Sequence, residues 1–146
     1  MISSINKNLK IGFTCGAFDL THAGHYIMFK ECREQCDYLI VGLQDDPSID
    51  REYKNKPIQS LAERKIQLES CKYIDEIVIY KTEKDLVKLL KKIKPNIRFV
   101  GADWKGKHFT GDNLSINVVF NSRSHTYSSS SLRRRVYESE KKIVEK

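Results

Sequence analysis

Phe13-Thr14-Cys15-Gly16-Ala17-Phe18-Asp19-Leu20-Thr21-His22-Ala23-Gly24-His25 is the stretch from which the rest of the chain is read. It continues an apolar run from Ile11 that reads as a buried strand. It then passes through Gly16 and a polar turn and enters a segment of helical periodicity. His22 and His25 stand three residues apart where that helix begins, so both rings share one face. Unpaired backbone N–H groups and the positive end of the helix dipole lie there, which suits an anion. Gly16 and Gly24 remove side chains where a ligand or a neighbouring strand comes close. The reading is a phosphate-handling site at a strand-to-helix junction.

Outward from this junction, strands and helices alternate. Residues 1–8 read as a short frayed lead and 9–15 as the first strand. Ile27, Met28 and Cys32, with Lys30, Glu31 and Arg33 between them, predict an amphipathic helix over about 23–36. Residues 38–43 (Tyr-Leu-Ile-Val-Gly-Leu) form a continuous apolar run, the pattern of a strand covered on both faces in a parallel sheet. A long polar stretch, 44–60, follows, and loops of that length in compact domains are usually functional. Ser60 with Glu63 makes a capping box that opens a helix to about Lys72. Further strands are predicted at 76–80, 97–101 and 116–120. Thr82 caps a basic helix that Pro95 ends, and the Lys84 to Lys94 run reads as its solvated face. A last helix starts within 128–131 and leads into a charged tail, 137–146. The fold class is therefore α/β: one Rossmann-like, doubly wound domain with a five-stranded parallel sheet, its ligands beyond the carboxyl ends of the strands.

The chain has 146 residues, enough for one domain with a real core, and a net charge of +7, which suits an anionic partner. Its four cysteines do not form a secreted-type framework. Cys32 and Cys36, one helical turn apart, read as buried thiols rather than ligands of a metal. No signal peptide is seen, and no apolar run approaches the roughly 20 residues needed to cross a bilayer. These features together predict a cytoplasmic protein.

Three stretches resemble the HxGH nucleotidyltransferases, and among them the small cytidylyltransferases. Gly16-Ala17-Phe18-Asp19-Leu20-Thr21-His22-Ala23-Gly24-His25 is similar to the family's G-x-F-D-x-x-H-x-G-H. Gly101-Ala102-Asp103-Trp104-Lys105-Gly106-Lys107 is similar to its G-x-D-W-x-G-K. Arg123-Ser124-His125-Thr126-Tyr127-Ser128-Ser129-Ser130 stands in the place of its R-T-x-G-I-S-T-T. The resemblance implies transfer of CMP from CTP to a small phosphomonoester such as glycerol 3-phosphate, another phosphorylated polyol, an amino alcohol phosphate or a sugar phosphate. It implies direct attack on the α-phosphorus with release of pyrophosphate, assistance by Mg²⁺, and commonly a homodimer; no residue is assigned as a metal ligand.

Charge building on the phosphate oxygens calls for positioning and electrostatic stabilisation. His22 and His25 supply ring N–H donors, and Ser128, Ser129 and Ser130 offer hydroxyls and a second helix N-terminus. Arg123 can grip two oxygens at once. Of Arg133 to Arg135, one is expected at the site and the others in solvent. By resemblance, Lys54 and Lys56 close over CTP and the acceptor, with Lys54 counted among the catalytic residues. Arg64 matches a family arginine near the phosphates, with a surface salt bridge as the alternative reading. Asp103 and Trp104 fall beside base and ribose, although Trp104 also reads as a core aromatic. Cys15, Gly16, Ala17, Phe18, Gly24, Gly101 and Tyr127 complete the nucleotide-binding set. Asp19 reads as a buttress of the loop, and His108 and His125 as surface residues without a role.

The chain departs from the family at Thr126, where the pattern has glycine. It departs again where the tryptophan and lysine tied to glycerol phosphate fall near Glu83 and Leu86, which leaves the acceptor open. An adenylyltransferase using ATP is the competing enzyme reading, since Ser-Ser-Ser-Leu-Arg also occurs there. A nucleic-acid-binding module would need aromatics interleaved with basic residues on one surface, a pattern not seen here. An inactive ligand-sensing relative is disfavoured by the presence of both histidines.

Overall fold

The computed structural model describes residues 8–145, so the lead expected at 1–8 lies almost wholly outside the described residues. Strands β1 (Ile11–Gly16), β2 (Tyr38–Gln44), β3 (Glu76–Tyr80), β4 (Ile97–Val100) and β5 (Asn117–Phe120) alternate with helices α1 (Ala23–Glu34), α2 (Leu61–Glu69), α3 (Glu83–Ile93) and α4 (Ser129–Val144). All pairings are parallel, in the order β3-β2-β1-β4-β5. The order runs outward from β1 in both directions, so β1 and β4 flank the switch point where such sheets open a crevice. Phe13 is in register with Ile40 on one side and Arg98 on the other.

The apolar run of β2 is buried on both faces, as its composition requires. Leu39, Val41 and Leu43 pack with Phe29 and Cys32 of α1 and Leu68 of α2. Ile40 points the other way, joining Phe13, Tyr80 and the α3 residues Leu86, Leu90 and Ile93. Strand alternation thus sorts α1 and α2 to one face and α3 to the other. Cys32 and Cys36 are free thiols inside the first of these layers.

Helix ends differ from the sequence reading for identifiable reasons. Helix α1 stops at Glu34 because the backbone N–H groups of Asp37 and Tyr38 turn to the Lys10 carbonyl, 2.8 and 3.2 Å away, and start β2. Helix α2 stops at Glu69, where the Ser70 hydroxyl takes the Ile66 carbonyl at 3.0 Å. Both expected caps form: Ser60 with Glu63, and Thr82 with Asp85. Lys94 adopts the left-handed conformation (φ 49°) ahead of Pro95 and closes α3. The charged stretch from residue 137 continues α4 to Val144, and α4 buries none of its side chains. No helix among the described residues is long and apolar enough to cross a membrane.

Candidate active site

The site begins with how α1 starts. Its first N–H groups have no partner within the helix and need acceptors. His22 occupies the N-cap in extended conformation, and its ring Nδ1 accepts from Gly24 N at 3.0 Å. His25, three residues on, accepts the His22 backbone N–H at its own Nδ1, 3.2 Å away. Two imidazoles therefore form the reciprocal capping box usually made by Ser or Thr with Glu or Gln. An Nδ1 that accepts a hydrogen bond carries no proton, so in each neutral ring the proton sits on Nε2. The backbone has set both tautomers, and both rings offer an Nε2–H.

Charge reinforces that state. Burial, with the neighbouring His125 and Arg123, holds His22 below the usual imidazole range. Burial, with His22 and His125, pushes His25 down to about 4. The ring centroids lie 4.0 Å apart, and Phe18 meets His25 edge-on at 5.7 Å. Gly24 has no room for a side chain: a Cβ there would come within 2.8 Å of His125 Cε1 and 2.9 Å of His22 Cε1.

Across the crevice, Ser128 caps α4 by accepting from Ser131 N at 3.1 Å. That leaves the N–H groups of Ser129 and Ser130 in the first turn without a helical acceptor. Ser129 Oγ stands 3.2 Å from His22 Nε2, which by the tautomer argument is the donor. Two helix N-termini 107 residues apart in sequence thus converge on one point. The loop between β1 and α1 is pinned from below. Asp19 accepts from Ile58 N and Gln59 N, each at 2.9 Å, so it serves as a buttress. Its carboxylate also stands 3.8 Å from Arg133, the member of the Arg133 to Arg135 run that reaches this region.

Two cavities meet here, and Gly101 lines both. The smaller, about 290 Å³, is walled by His22, Gly24, His25, Asp103, Arg123 and Ser129. Ser128 and Tyr127 complete its rim. Arg123, with φ 45°, holds Asp103 through Nη1 at 2.8 Å. The larger cavity, about 650 Å³, opens on the α3 side and takes in Cys15, Gly16, Ala17, Lys54 and Trp104. The Trp104 side chain faces this cavity, with Lys54 Nζ 6.0 Å from its ring, while its neighbour Asp103 faces the smaller one. Phe18 contributes backbone to the turn, but its ring belongs to the core. Lys56 and Ser130 are exposed and line neither cavity.

Arg64 requires a correction. It is 2% exposed and its guanidinium is committed to carbonyls: Gln59 at 3.2 Å, Ala17 at 2.9 Å, Gln44 at 2.7 Å and Asp45 at 2.6 Å. It is neither a phosphate ligand nor a surface ion pair. It ties the ends of β1 and β2 to α2. His125 is the reverse case. Read from sequence as a surface residue, it lines the smaller cavity against Gly24 and His22. Its Nδ1 accepts from Tyr127 N at 3.1 Å, which leaves a third Nε2–H beside the first two.

Residues 13–135 match the cytidylyltransferase-like family model. The chain belongs to the cytidylyltransferase-like family. It is thereby of nucleotidyltransferase type, within the superfamily that carries the HxGH signature. It is 39% identical over 106 residues to the bifunctional protein HldE of Campylobacter concisus, a match covering 72% of this chain and 22% of that protein. The HldE of Helicobacter hepaticus is 38% identical over 114 residues, covering 77% and 23%. The chain thus spans less than a quarter of the length of these two relatives. Among solved structures, a lipopolysaccharide core biosynthesis protein from Thermoplasma volcanium shares the fold with a TM-score of 0.66 at 24% identity, covering 82% of this chain and 99% of the other. A pantoate-beta-alanine ligase from Francisella tularensis shares it at 0.57 and 17% identity, covering 93% and 73%.

Two predictions follow from the capping geometry. Replacing Gly24→Ala displaces the imidazoles, and misplacement by about 1 Å costs on the order of 100-fold in turnover. The same crowding should cost about 1–3 kcal/mol of stability, less any gain in helix propensity, so turnover is compared in protein shown to be folded. Turnover within about twofold of the parent would contradict the packing. For His25, the folded pKa lies below the unfolded value, so the unfolded chain binds the proton first as pH drops. Stability should decline from about pH 6.5 to pH 4 by up to about 3 kcal/mol through this group. In His25→Gln, which keeps a capping-box residue, urea melts across that range should show a smaller decline.

Proposed function

We propose that this chain transfers a nucleotidyl group from a nucleoside triphosphate to a small phosphomonoester, with CTP as the donor. An oxygen of the acceptor phosphate forms a bond to the α-phosphorus. The bond from that phosphorus to the β-phosphate bridging oxygen breaks, and pyrophosphate leaves with the electron pair. The observation that carries this reading is the convergence of the His22 and Ser129 helix ends at 3.2 Å, where two cavities share Gly101. One cavity takes the nucleotide and the other the acceptor.

The protein's part is positional and electrostatic. The Nε2–H groups of His22 and His25 donate to oxygens of the triphosphate from fixed directions, where preorganised donors stabilise developing charge. The free N–H groups at the start of α4 receive its far end. Lys54 enters the larger cavity from the long loop, and Arg123 can exchange Asp103 for a phosphate oxygen. Mg²⁺ suits this donor set as a companion of the phosphates, because the imidazole Nδ1 atoms are committed and their Nε2 atoms carry protons. When bound it offsets phosphate charge, keeping several waters. The Ser128 to Ser131 turn leading into Leu132 and Arg133 supports ATP as the second reading of the donor. A homodimer in a reducing cytoplasm, where Cys15, Cys32, Cys36 and Cys71 stay free, belongs to the same proposal.

The test is pyrophosphate release with CTP and ATP separately, in Mg²⁺, against a panel of phosphomonoesters. Release should require both a nucleotide and an acceptor. His22→Ala should lower it by at least about 100-fold in correctly folded protein. Release that is absent with every nucleotide, or unaltered in His22→Ala, would overturn the proposal.

A further inference from the structure

The larger cavity holds an imbalance of charge. Arg51 and Glu83 face each other across its wall at 3.0 Å, and Arg51 also donates to Gln44 Oε1 at 2.8 Å. Glu83 Oε1 accepts from the Thr110 hydroxyl at 3.2 Å. That pair is neutral as a unit, although Arg51 Nε and Glu83 Oε2 are themselves buried without a hydrogen-bond partner. Arg98, on β4, lines the same cavity and is 5% exposed. Its Nη1 donates to the Thr110 carbonyl and its guanidinium stacks over Phe109 at 5.1 Å, yet its Nε has no protein partner. Among the described residues no carboxylate forms an ion pair with it. Nor does Cys15 supply the missing charge: burial raises its thiol, which stays neutral despite Arg98 nearby.

An unpaired buried cation is costly, and proteins resolve the cost with a partner. The cavity that Arg98 lines is open to such a partner. Arg98 is in register with Phe13, three residues before the Gly16 end of β1. Its Cα therefore lies about 10 Å below the mouth where the histidines stand, at ~3.3 Å per strand residue. We propose that the acceptor has two anionic ends: the phosphate that attacks at the mouth, and a second group with anionic oxygens, held at depth by Arg98. The inference rests on the nucleotidyl-transfer reading and narrows its acceptor. A phosphorylated hydroxy acid or a bisphosphate fits, whereas glycerol phosphate leaves the guanidinium without its counter-charge.

The direct test compares 3-phosphoglycerate with glycerol 3-phosphate, which differ in carboxylate against hydroxymethyl, and adds glycerol 1,3-bisphosphate as the second-phosphate arm. With the active nucleotide and Mg²⁺, at least one two-ended acceptor should exceed glycerol 3-phosphate in kcat/KM by about 10- to 100-fold, the range of a charge-assisted hydrogen bond. Arg98→Met should bring that ratio to within about twofold. Glycerol 3-phosphate equalling or exceeding both in the parent protein would overturn the inference while leaving nucleotidyl transfer standing, and so would an unchanged ratio in Arg98→Met. The parent comparison decides the matter even where Arg98→Met fails to fold. If no combination releases pyrophosphate, the nucleotidyl-transfer reading fails instead. Calorimetry with the same compounds then reads the anion site alone, and tighter binding of a two-ended compound than of glycerol 3-phosphate supports it. Equal or absent binding overturns it.

Discussion

Everything at this site depends on two backbone N–H groups finding acceptors in two imidazole rings. His22 Nδ1 takes Gly24 N, and His25 Nδ1 takes His22 N. With that, the first turn of α1 is capped, the rings are fixed in direction, and their protons are placed on Nε2. A serine at the cap would satisfy the helix equally well, but its one short hydroxyl would have to serve cap and ligand from the same atom, whereas an imidazole accepts at Nδ1 and donates from Nε2 on the far side of the ring. The same bonds oppose protonation, because a charged ring would have to surrender its Nδ1 acceptor. Burial adds to this, most strongly at His25. Capping, tautomer and charge state are one interaction seen three ways.

The surrounding structure holds that interaction steady. Asp19 fastens the β1–α1 turn to the backbone at residues 58 and 59, and Leu20 N adds a bond to Gln59 Oε1 at 2.8 Å. Arg64 sits beneath, joining four carbonyls from the ends of β1 and β2 and the start of α2. These contacts are local to the switch point of the sheet, where β1 and β4 diverge and the crevice opens. The position of the site is thus a consequence of strand order, and its chemistry a consequence of how one helix is capped.

Much of this was legible in the sequence. The apolar run of β2, the capping boxes at Ser60 and Thr82, and Pro95 each signal structure through local rules, and the elements start where those rules put them, although α2 ends earlier than read. The motif from Gly16 to His25 likewise marks the junction. What stayed hidden depends on distant segments. Arg64 looks like one charge among others in Glu63-Arg64-Lys65, since its burial comes from carbonyls of residues 17, 44 and 45. His125 lies in an irregular loop with no periodicity to place it, and only the fold brings it against Gly24. Trp104 and Asp103 are adjacent, yet a single 3-10 turn over Ala102–Trp104 sends them into different cavities. The signal available for His125 was its spacing, two residues after Arg123 and three before the serine turn.

The central claim, that neutral rings present Nε2–H donors to a triphosphate, is most directly tested by nitrogen-15 NMR of the histidine side chains. At pH 7, His22 and His25 should show an unprotonated Nδ1 and a protonated Nε2, with the Nε2 signals moving when a non-hydrolysable triphosphate is added. Protons on Nδ1, imidazolium signals at that pH, or Nε2 signals indifferent to the triphosphate would contradict the account.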